Sequence, residues 1–342
     1  METLRAVLVG CGAMSARWLE VANTIPALSV VGFVDINLAA AKARAAQSAA
    51  PNPLVTTNLE AALEQTTPHI VFDCTVPEAH AETTLAALRW GCHVLGEKPL
   101  ADSLENARRM VQAAHDAGRL YAVVQNRRYD PNIRRLRRFL DSGAIGGVTT
   151  INSDFYIAPH FGGFRDQMQH VLLLDMAIHT LDAARYLANA DPVSVYCKEW
   201  NPPGSWYKHG ASAVAIFEMT GGLIYTYRGS WCAEGLPTTW ESDWRIVGQS
   251  GSVSWHGDDQ MRAQVVQSTG GFFSEHAEVD VPAWDVPERV GGHEGIIRDF
   301  VACVRSGDTP ETTASDNIKS LAMVFAAIES AEQGRVVPVR WD

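Results

Sequence analysis

Asp175, His179 and Asp182 fall four and three residues apart in the stretch Leu172-Leu173-Leu174-Asp175-Met176-Ala177-Ile178-His179-Thr180-Leu181-Asp182. At helical spacing the three polar groups form one stripe, with apolar residues on the opposite face. A histidine between two carboxylates suits proton transfer near neutral pH, with one aspartate orienting the imidazole. A buried histidine held by hydrogen bonds gives the same pattern. A second constellation is Glu97-Lys98-Pro99, a lysine beside a proline that restricts the backbone. Such a lysine can polarise a hydroxyl or assist its deprotonation, or it is a surface lysine ahead of a helix. The third is Gly10-Cys11-Gly12-Ala13-Met14-Ser15, placed directly after an apolar run. A side chain at Gly10 would strain the turn, and one at Gly12 would hold a pyrophosphate away from the N-terminus of the following helix.

The elements that must position these groups are legible around them. Leu4 to Val9 is apolar except for Arg5 and reads as a buried parallel strand; Ala16 to Ala22 has helical character; Leu28 to Val34 is a second strand ending at Asp35. This βαβ unit places Asp35 where a carboxylate accepts hydrogen bonds from adenosine ribose hydroxyls and repels a 2′-phosphate, so NAD is expected in preference to NADP. Ser15 stands where glycine or alanine is usual, which loosens helix-on-strand packing. The alternation continues with strands at Ile70 to Thr75, His93 to Gly96 and Tyr121 to Val124, and helices at Ala81 to Trp90 and Ser103 to Ala117. Such a doubly wound sheet binds ligands at the carboxyl ends of its strands. Thr75, Pro77, Lys98 and Asn126 fall there; with Gly10, Gly12, Ala13, Met14, Asp35, His80, Glu97 and Arg165 they make up the expected cofactor set.

Beyond Asn126 the pattern changes. Asn132 to Leu140 is a helix bearing Arg134, Arg135, Arg137 and Arg138, expected to be a solvated basic face. Strand-like segments follow at Val148 to Tyr156, Val193 to Glu199, Ser212 to Glu218, Leu223 to Trp231 and Trp244 to Gly248, and amphipathic helices at His293 to Arg305 and Ala314 to Gln333. Tyr156, His160 and Arg165 precede the histidine stretch and are expected to contact substrate; Arg165 could answer an anionic substituent. All tryptophans except Trp18 and Trp90 lie in this second part, where core or interface packing is the commoner role and stacking on a sugar ring the rarer one.

A chain of 342 residues exceeds one ordinary hydrophobic core, so two domains are expected, 1–125 and 126–342. With 46% hydrophobic and 20% charged residues it is globular, and a net charge of −11 argues against a nucleic-acid partner. The six cysteines are scattered, with neither a CxxC pair nor metal-ligand spacing, so reduced thiols and no metal are expected. No apolar run approaches the roughly 20 residues that cross a bilayer, and Met1 leads almost directly into a strand. No membrane partner and a cytoplasmic address are the expectation.

Together, the glycine turn, Glu97-Lys98-Pro99, Asn126-Arg127-Arg128-Tyr129 and the stretch from Asp175 to Asp182 resemble the glucose-fructose oxidoreductase / inositol dehydrogenase / rhizopine-catabolism family, Gfo/Idh/MocA, over nearly the whole chain. The resemblance implies an α/β fold: an N-terminal Rossmann domain with a doubly wound parallel sheet, then an α/β domain with a large open mixed, mainly antiparallel sheet through which homodimers or homotetramers form. It implies hydride transfer between nicotinamide and a carbinol carbon of a sugar, sugar acid or inositol. Carried over by residue, Lys98 contacts the substrate hydroxyl and the nicotinamide region, His179 is the general acid/base, and Asp175 completes the triad. Asn126 and Arg127 lie near nicotinamide or substrate, and Arg165 matches an arginine of the cleft. The chain departs from the pattern at Gln169-His170-Val171, where many members are glycine-rich, and at Ala177, where glycine is usual. Two further readings remain: an NAD-dependent glycosidase that oxidises its sugar transiently, and a non-catalytic dinucleotide sensor.

Overall fold

The computed structural model describes residues 3–342. They divide into two compact units, one of residues 3–129, 287–318 and 342, the other of 130–286 and 319–341. The division in space is therefore not the single cut after residue 125 expected from the sequence, because 287–318 packs with the first unit.

In the first unit six parallel strands run in the order β3-β2-β1-β4-β5-β6. They are β1 (Leu4–Val9), β2 (Leu28–Val34), β3 (Leu54–Thr56), β4 (Ile70–Asp73), β5 (His93–Gly96) and β6 (Tyr121–Val123). Their connections are the helices α1 (Ser15–Thr24), α2 (Leu38–Ala45), α3 (Leu59–Thr66), α4 (Pro77–Arg89) and α5 (Leu104–Ala117). This is the doubly wound dinucleotide-binding order, whose switch point lies between β1 and β4. The helices start where local chemistry satisfies their free N–H groups: Asn37, Asn58 and Ser103 accept backbone N–H bonds at α2, α3 and α5, and Pro77 opens α4. The core joins Leu8, Phe33 and Phe72 to Trp18 of α1 and to Ile296, Ile297 and Phe300. The last three belong to a helix at 293–306 that returns late in the chain. Trp18 packs edge-on to Phe72 at 5.5 Å, and its full burial contributes roughly 1.5–3 kcal/mol.

Ser15 corrects one expectation. It is fully buried; its hydroxyl donates to Gly12 O at 2.6 Å and accepts from Arg44 Nε at 2.9 Å. The third small position thus ties the turn to α2 and loosens nothing.

The second unit begins with α6 (Pro131–Asp141) and β7 (Val148–Tyr156). A nine-stranded sheet runs in the order β14-β13-β12-β11-β7-β10-β9-β8-β15, antiparallel except where β7 pairs with β10. Its remaining strands are β8 (Pro192–Trp200), β9 (Ser212–Met219), β10 (Ile224–Ser230), β11 (Asp243–Gly248), β12 (Gly251–Trp255), β13 (Met261–Ser268), β14 (Glu275–Val279) and β15 (Val337–Pro338). One face is apolar, built from Ile151, Phe155, Ala215, Phe217, Tyr225 and Tyr227, all buried. The second unit also holds α7 (Ile178–Ala188) and, from residue 319 on, α9 (Ala314–Gln333), whereas α8 (His293–Ser306) is the late helix of the first unit.

The arginines of α6 do not form a solvated face. Arg134 and Arg138 sit over the Trp284 ring at 5.8 and 4.9 Å, Arg135 Nε donates to Val281 O at 2.8 Å, and Arg137 lies over Tyr186 at 5.5 Å. Together they fasten the segment 281–285 and α7 to α6.

Candidate active site

The glycine turn sits at the carboxyl end of β1. Gly10 has φ +82°, and a Cβ there would lie 2.5 Å from Cys74 O, so only glycine fits. Gly12 differs: a Cβ at that position would meet nothing within 4 Å among the described residues. It lines a cleft of about 690 Å³ bordered also by Gly10, Asp35, Ile36, Thr75 and Val76. Asp35 is held rigidly, its Oδ2 accepting from Cys11 N and its Oδ1 from Asn37 N, both at 2.7 Å. Cys11 itself is inert: burial, aided by the charge of Asp35, pushes its thiol up to about 12. Met14, at the start of α1, is half exposed. Thr75 Oγ1 turns inward and donates to Asp73 Oδ1 at 2.6 Å.

Lys98 follows β5, and its backbone is anchored from two sides. The buried Glu97 carboxylate accepts from Trp18 Nε1 at 2.7 Å and stands 3.6 Å from His293 Nε2, while its other oxygen accepts from Lys98 N at 3.2 Å. Burial opposes ionisation of Glu97, but the bonds from His293 and Trp18 and the charges of His293 and Lys98 outweigh it and hold the carboxyl below its ordinary range. On the other side the ring nitrogens of His80 stand 3.0 Å from Pro99 O and 3.1 Å from Thr75 O. The Lys98–Pro99 peptide bond is cis. Glu97 and His80, expected at the cofactor, are interior groups: His80 joins the loops after β4 and β5, and Glu97 ties the loop after β5 to Trp18 and His293. His293, which shares this work, heads a helix almost 200 residues away in the chain and carries no local signal of it. Asn126 begins a tight turn, Asn126–Tyr129, in which Arg128 Nη2 reaches Asp316 at 2.7 Å and the Tyr129 hydroxyl donates to Asp299 at 2.7 Å. These flanking bonds fix where Asn126 and Arg127 stand.

In the second unit the segment Leu172–Ala177 is a π-helical turn, and His179 lies in the first turn of α7. A π turn inserted at the start of an α-helix re-aims the side chains on it. Arg165 Nε donates to Asp175 Oδ2 at 2.6 Å, and the guanidinium lies 4.9 and 4.8 Å from the Phe161 and Phe164 rings. The structure thus brings Arg165 and Asp175 together. Asp182 is fully buried and accepts from Ser320 at 2.6 Å, a structural bond that takes it out of the polar stripe. His160 stacks on Trp206 at 3.7 Å and reaches Glu234 at 3.1 Å, away from Asp175 in its bonding. Tyr156 shares the more exposed face of β7 with Asn152 and Asp154, whereas Ser153 and Phe155 point into the core. Tyr207, which the sequence did not single out, is buried and donates to Pro159 O at 3.1 Å. Burial raises its phenol, and the nearby carboxylates of Asp166 and Asp175 add to that.

Residues 4–125 match the profile of an oxidoreductase family with an NAD-binding Rossmann fold, and residues 133–254 match the GFO/IDH/MocA C-terminal domain. The chain belongs to the Gfo/Idh/MocA oxidoreductase family. Among Gfo/Idh/MocA relatives, 1,5-anhydro-D-fructose reductase of Ensifer adhaerens is 25% identical over 97% of this chain and 97% of its own. Inositol 2-dehydrogenase 2 of Saccharopolyspora erythraea is 26% identical over 98% of this chain and 96% of its own. The fold is shared with an oxidoreductase from Agrobacterium radiobacter solved with NAD+, L-tartaric acid and magnesium, at TM-score 0.84 and 21% identity over 98% of each chain.

The first unit fits the cofactor of a Gfo/Idh/MocA enzyme. The open space above Gly12 is where a phosphate can approach the start of α1, and the fixed Asp35 borders the same cleft. Ile36 and Val76, 98% and 62% exposed on its rim, offer aliphatic surface to a planar base. The protein is an NAD-binding oxidoreductase. Among the described residues, no helix is long and apolar enough to cross a membrane.

Proposed function

We propose that this protein is an NAD-dependent dehydrogenase or reductase acting on a carbinol carbon of a sugar, sugar acid or inositol. The observation that carries this reading is the anchoring of Lys98. Its backbone is braced by Glu97, Trp18 and His293 below and by His80 across Pro99 O, at the carboxyl edge of the sheet that bears the dinucleotide cleft. A flexible surface lysine would need no such support, whereas a group that must meet a reacting hydroxyl does.

When bound, NAD supplies the hydride acceptor. His179 takes the hydroxyl proton as general base, and returns it in the reverse direction. Lys98 stabilises the alkoxide as it forms. Asp175, clamped by Arg165, orients the imidazole. Arg127 and Arg165 offer cationic contacts to substrate oxygens, with Tyr156 and His160 as outer contacts. The substrate class comes from the names of the full-length relatives, a reductase of an anhydro sugar and an inositol dehydrogenase.

The test is a panel of polyols, sugars, sugar acids and glycosides, each with NAD and NADP, monitored for NADH and for released aglycone. Net NADH formation with a polyol or sugar supports the reading. Glycoside cleavage with no net NADH makes the protein a redox-assisted glycosidase, and tight NAD binding with no turnover on any carbohydrate makes it a sensor. Full turnover by the His179→Ala protein would remove the assignment of that residue.

A further inference from the structure

His170 stands in an unusual place. Its φ is +51°, in the left-handed region that side chains other than glycine rarely occupy. Its carbonyl accepts from Leu174 N at 2.9 Å, so it is the residue from which the helical ladder carrying Asp175 and His179 starts. Leu172, Leu173 and Met176 bury the turn that follows, which makes the segment from 170 to 179 stiff. Where His170 sits therefore decides where Asp175 and His179 sit.

A strained backbone persists only if its surroundings over-determine it. Here the side chain does so. His170 Nδ1 lies 2.5 Å from Glu199 Oε2 near the end of β8, and Nε2 lies 3.6 Å from Glu332 Oε1 of α9. Glu199 is a built partner: its side chain is only 8% exposed, and Gly210 leaves the space it fills, since a Cβ at 210 would come 2.5 Å from Glu199 Cδ. The second oxygen of Glu199 is buried without a hydrogen-bond partner among the described residues. That carboxylate is left to His170, and removing one partner of such a buried pair leaves an uncompensated charge.

We propose that the His170–Glu199 pair is a latch that sets the position of the segment bearing Asp175 and His179, making His170 a positioning residue for proton transfer. The charged groups facing His170 are Glu199 from β8 and Glu332 from α9. The hydrogen bond to Glu199 raises the proton affinity of His170, burial opposes that, and the charges of Glu199 and Glu332 add to it. A histidine whose folded value is raised contributes stability that is fully present below its unfolded value and is lost as pH rises through the folded value. The latch is therefore closed below the ordinary histidine range and opens as pH rises through the raised folded value.

The proposal rests on the reading of His179 as acid/base, so its test has an arm that needs no turnover. In that arm, amide hydrogen exchange of residues 171–179 is followed against pH in the wild type, in His170→Gly, which keeps the left-handed backbone, and in Glu199→Gln, which keeps the shape, and the ring signals of His170 are followed in the wild type and in Glu199→Gln. Protection of 171–179 should fall in the wild type as His170 loses its proton and should be low and independent of pH in both variants. In the second arm, using whichever substrate turns over, kcat should fall at least about 10-fold in His170→Gly, with the affinity for NAD unchanged and the wild type's fall in kcat with rising pH abolished. Unchanged protection in both variants overturns the latch, as does a wild-type profile retained by His170→Gly. Absence of turnover in the wild type would remove the acid/base reading while the exchange arm still decides on the latch.

Discussion

Arg165 Nε donates to Asp175 Oδ2 at 2.6 Å, and the two side chains are 30% and 13% exposed. The pair joins an arginine of the 3-10 turn Gly163–Gln167 to a carboxylate on a π-helical turn one helical step before His179. Its guanidinium lies close to Phe161 and Phe164, which lowers the local polarity and limits its choice of partners. Asp175 is thereby fixed in direction, the property a residue orienting an imidazole needs.

Replacing Arg165 with alanine should lower kcat/KM about 10- to 100-fold, the range of one lost hydrogen bond between charged groups, about 1.5–3 kcal/mol. Affinity for NAD should stay within about twofold. Arg165→Lys keeps the charge but not the directed Nε bond and should recover only part of the loss. Steady-state kinetics and calorimetric NAD titration check both; an Arg165→Ala enzyme with full kcat/KM would show that Asp175 needs no clamp.

Asp35 has both oxygens engaged by backbone N–H groups and still borders the cleft, so it presents an immobile carboxylate to a ribose. Asp35→Ala should weaken NAD roughly 10- to 100-fold without creating NADP affinity, because Glu60 and Glu82 line the same cleft. Wild-type protein should prefer NAD to NADP. Titration of both nucleotides on both proteins measures this, and tight NADP binding by Asp35→Ala would place the adenosine elsewhere.

Five of the six parallel strands were readable because residues such as Val7, Leu8 and Phe72 are buried on every side, which leaves continuous apolar runs, whereas β3 is three half-buried residues and left no such run. β13 was not readable either, since Met261–Ser268 buries only Ala263 and its residues are otherwise polar or partly exposed. The glycine turn, Asp35 and Lys98 follow local rules. The partners that give other groups their roles lie far off in the chain: His293 for Glu97, Ser320 for Asp182, and Val281 and Trp284 for the arginines of α6. No periodicity reports such pairings. The π turn was equally silent, because Asp175 and His179 keep the spacing of an ordinary helix.

Glu97 shows how such a distant partner enters stability. Its folded carboxyl lies below its ordinary range, so by linkage it contributes stability above the unfolded value, near 4.3, and that contribution is lost as pH falls through the folded value. Below that unfolded value the first unit should therefore lose stability progressively as pH falls. Removing His293 by substitution with alanine leaves the buried carboxylate with fewer partners, and should move acid unfolding to higher pH and cost on the order of 3 kcal/mol at neutral pH. Urea unfolding at neutral pH and acid unfolding, both followed by far-ultraviolet circular dichroism, give the two quantities. An unchanged acid midpoint in His293→Ala would mean that Trp18 and the Lys98 amide suffice.

Gly10 and Gly12 belong to one turn yet should fail in opposite ways. Alanine at 10 must adopt φ near +82° and place its methyl group 2.5 Å from Cys74 O, an atom of the backbone that cannot swing aside. Strain of that kind costs upward of about 2 kcal/mol, so Gly10→Ala should lower the unfolding midpoint and lose NAD together. Alanine at 12 meets nothing of the described protein within 4 Å. Its stability should change by less than about 0.5 kcal/mol, or rise slightly through the stiffer unfolded chain. Yet the methyl group would stand in the cleft where a phosphate must approach the start of α1, and NAD should weaken at least about 10-fold. Thermal unfolding with and without NAD separates the two: for Gly12→Ala the midpoint without NAD stays at the wild-type value while the upward shift on adding NAD shrinks. A full shift in that variant would mean that the pyrophosphate does not pass over Gly12, and the dinucleotide would have to be placed differently in the cleft.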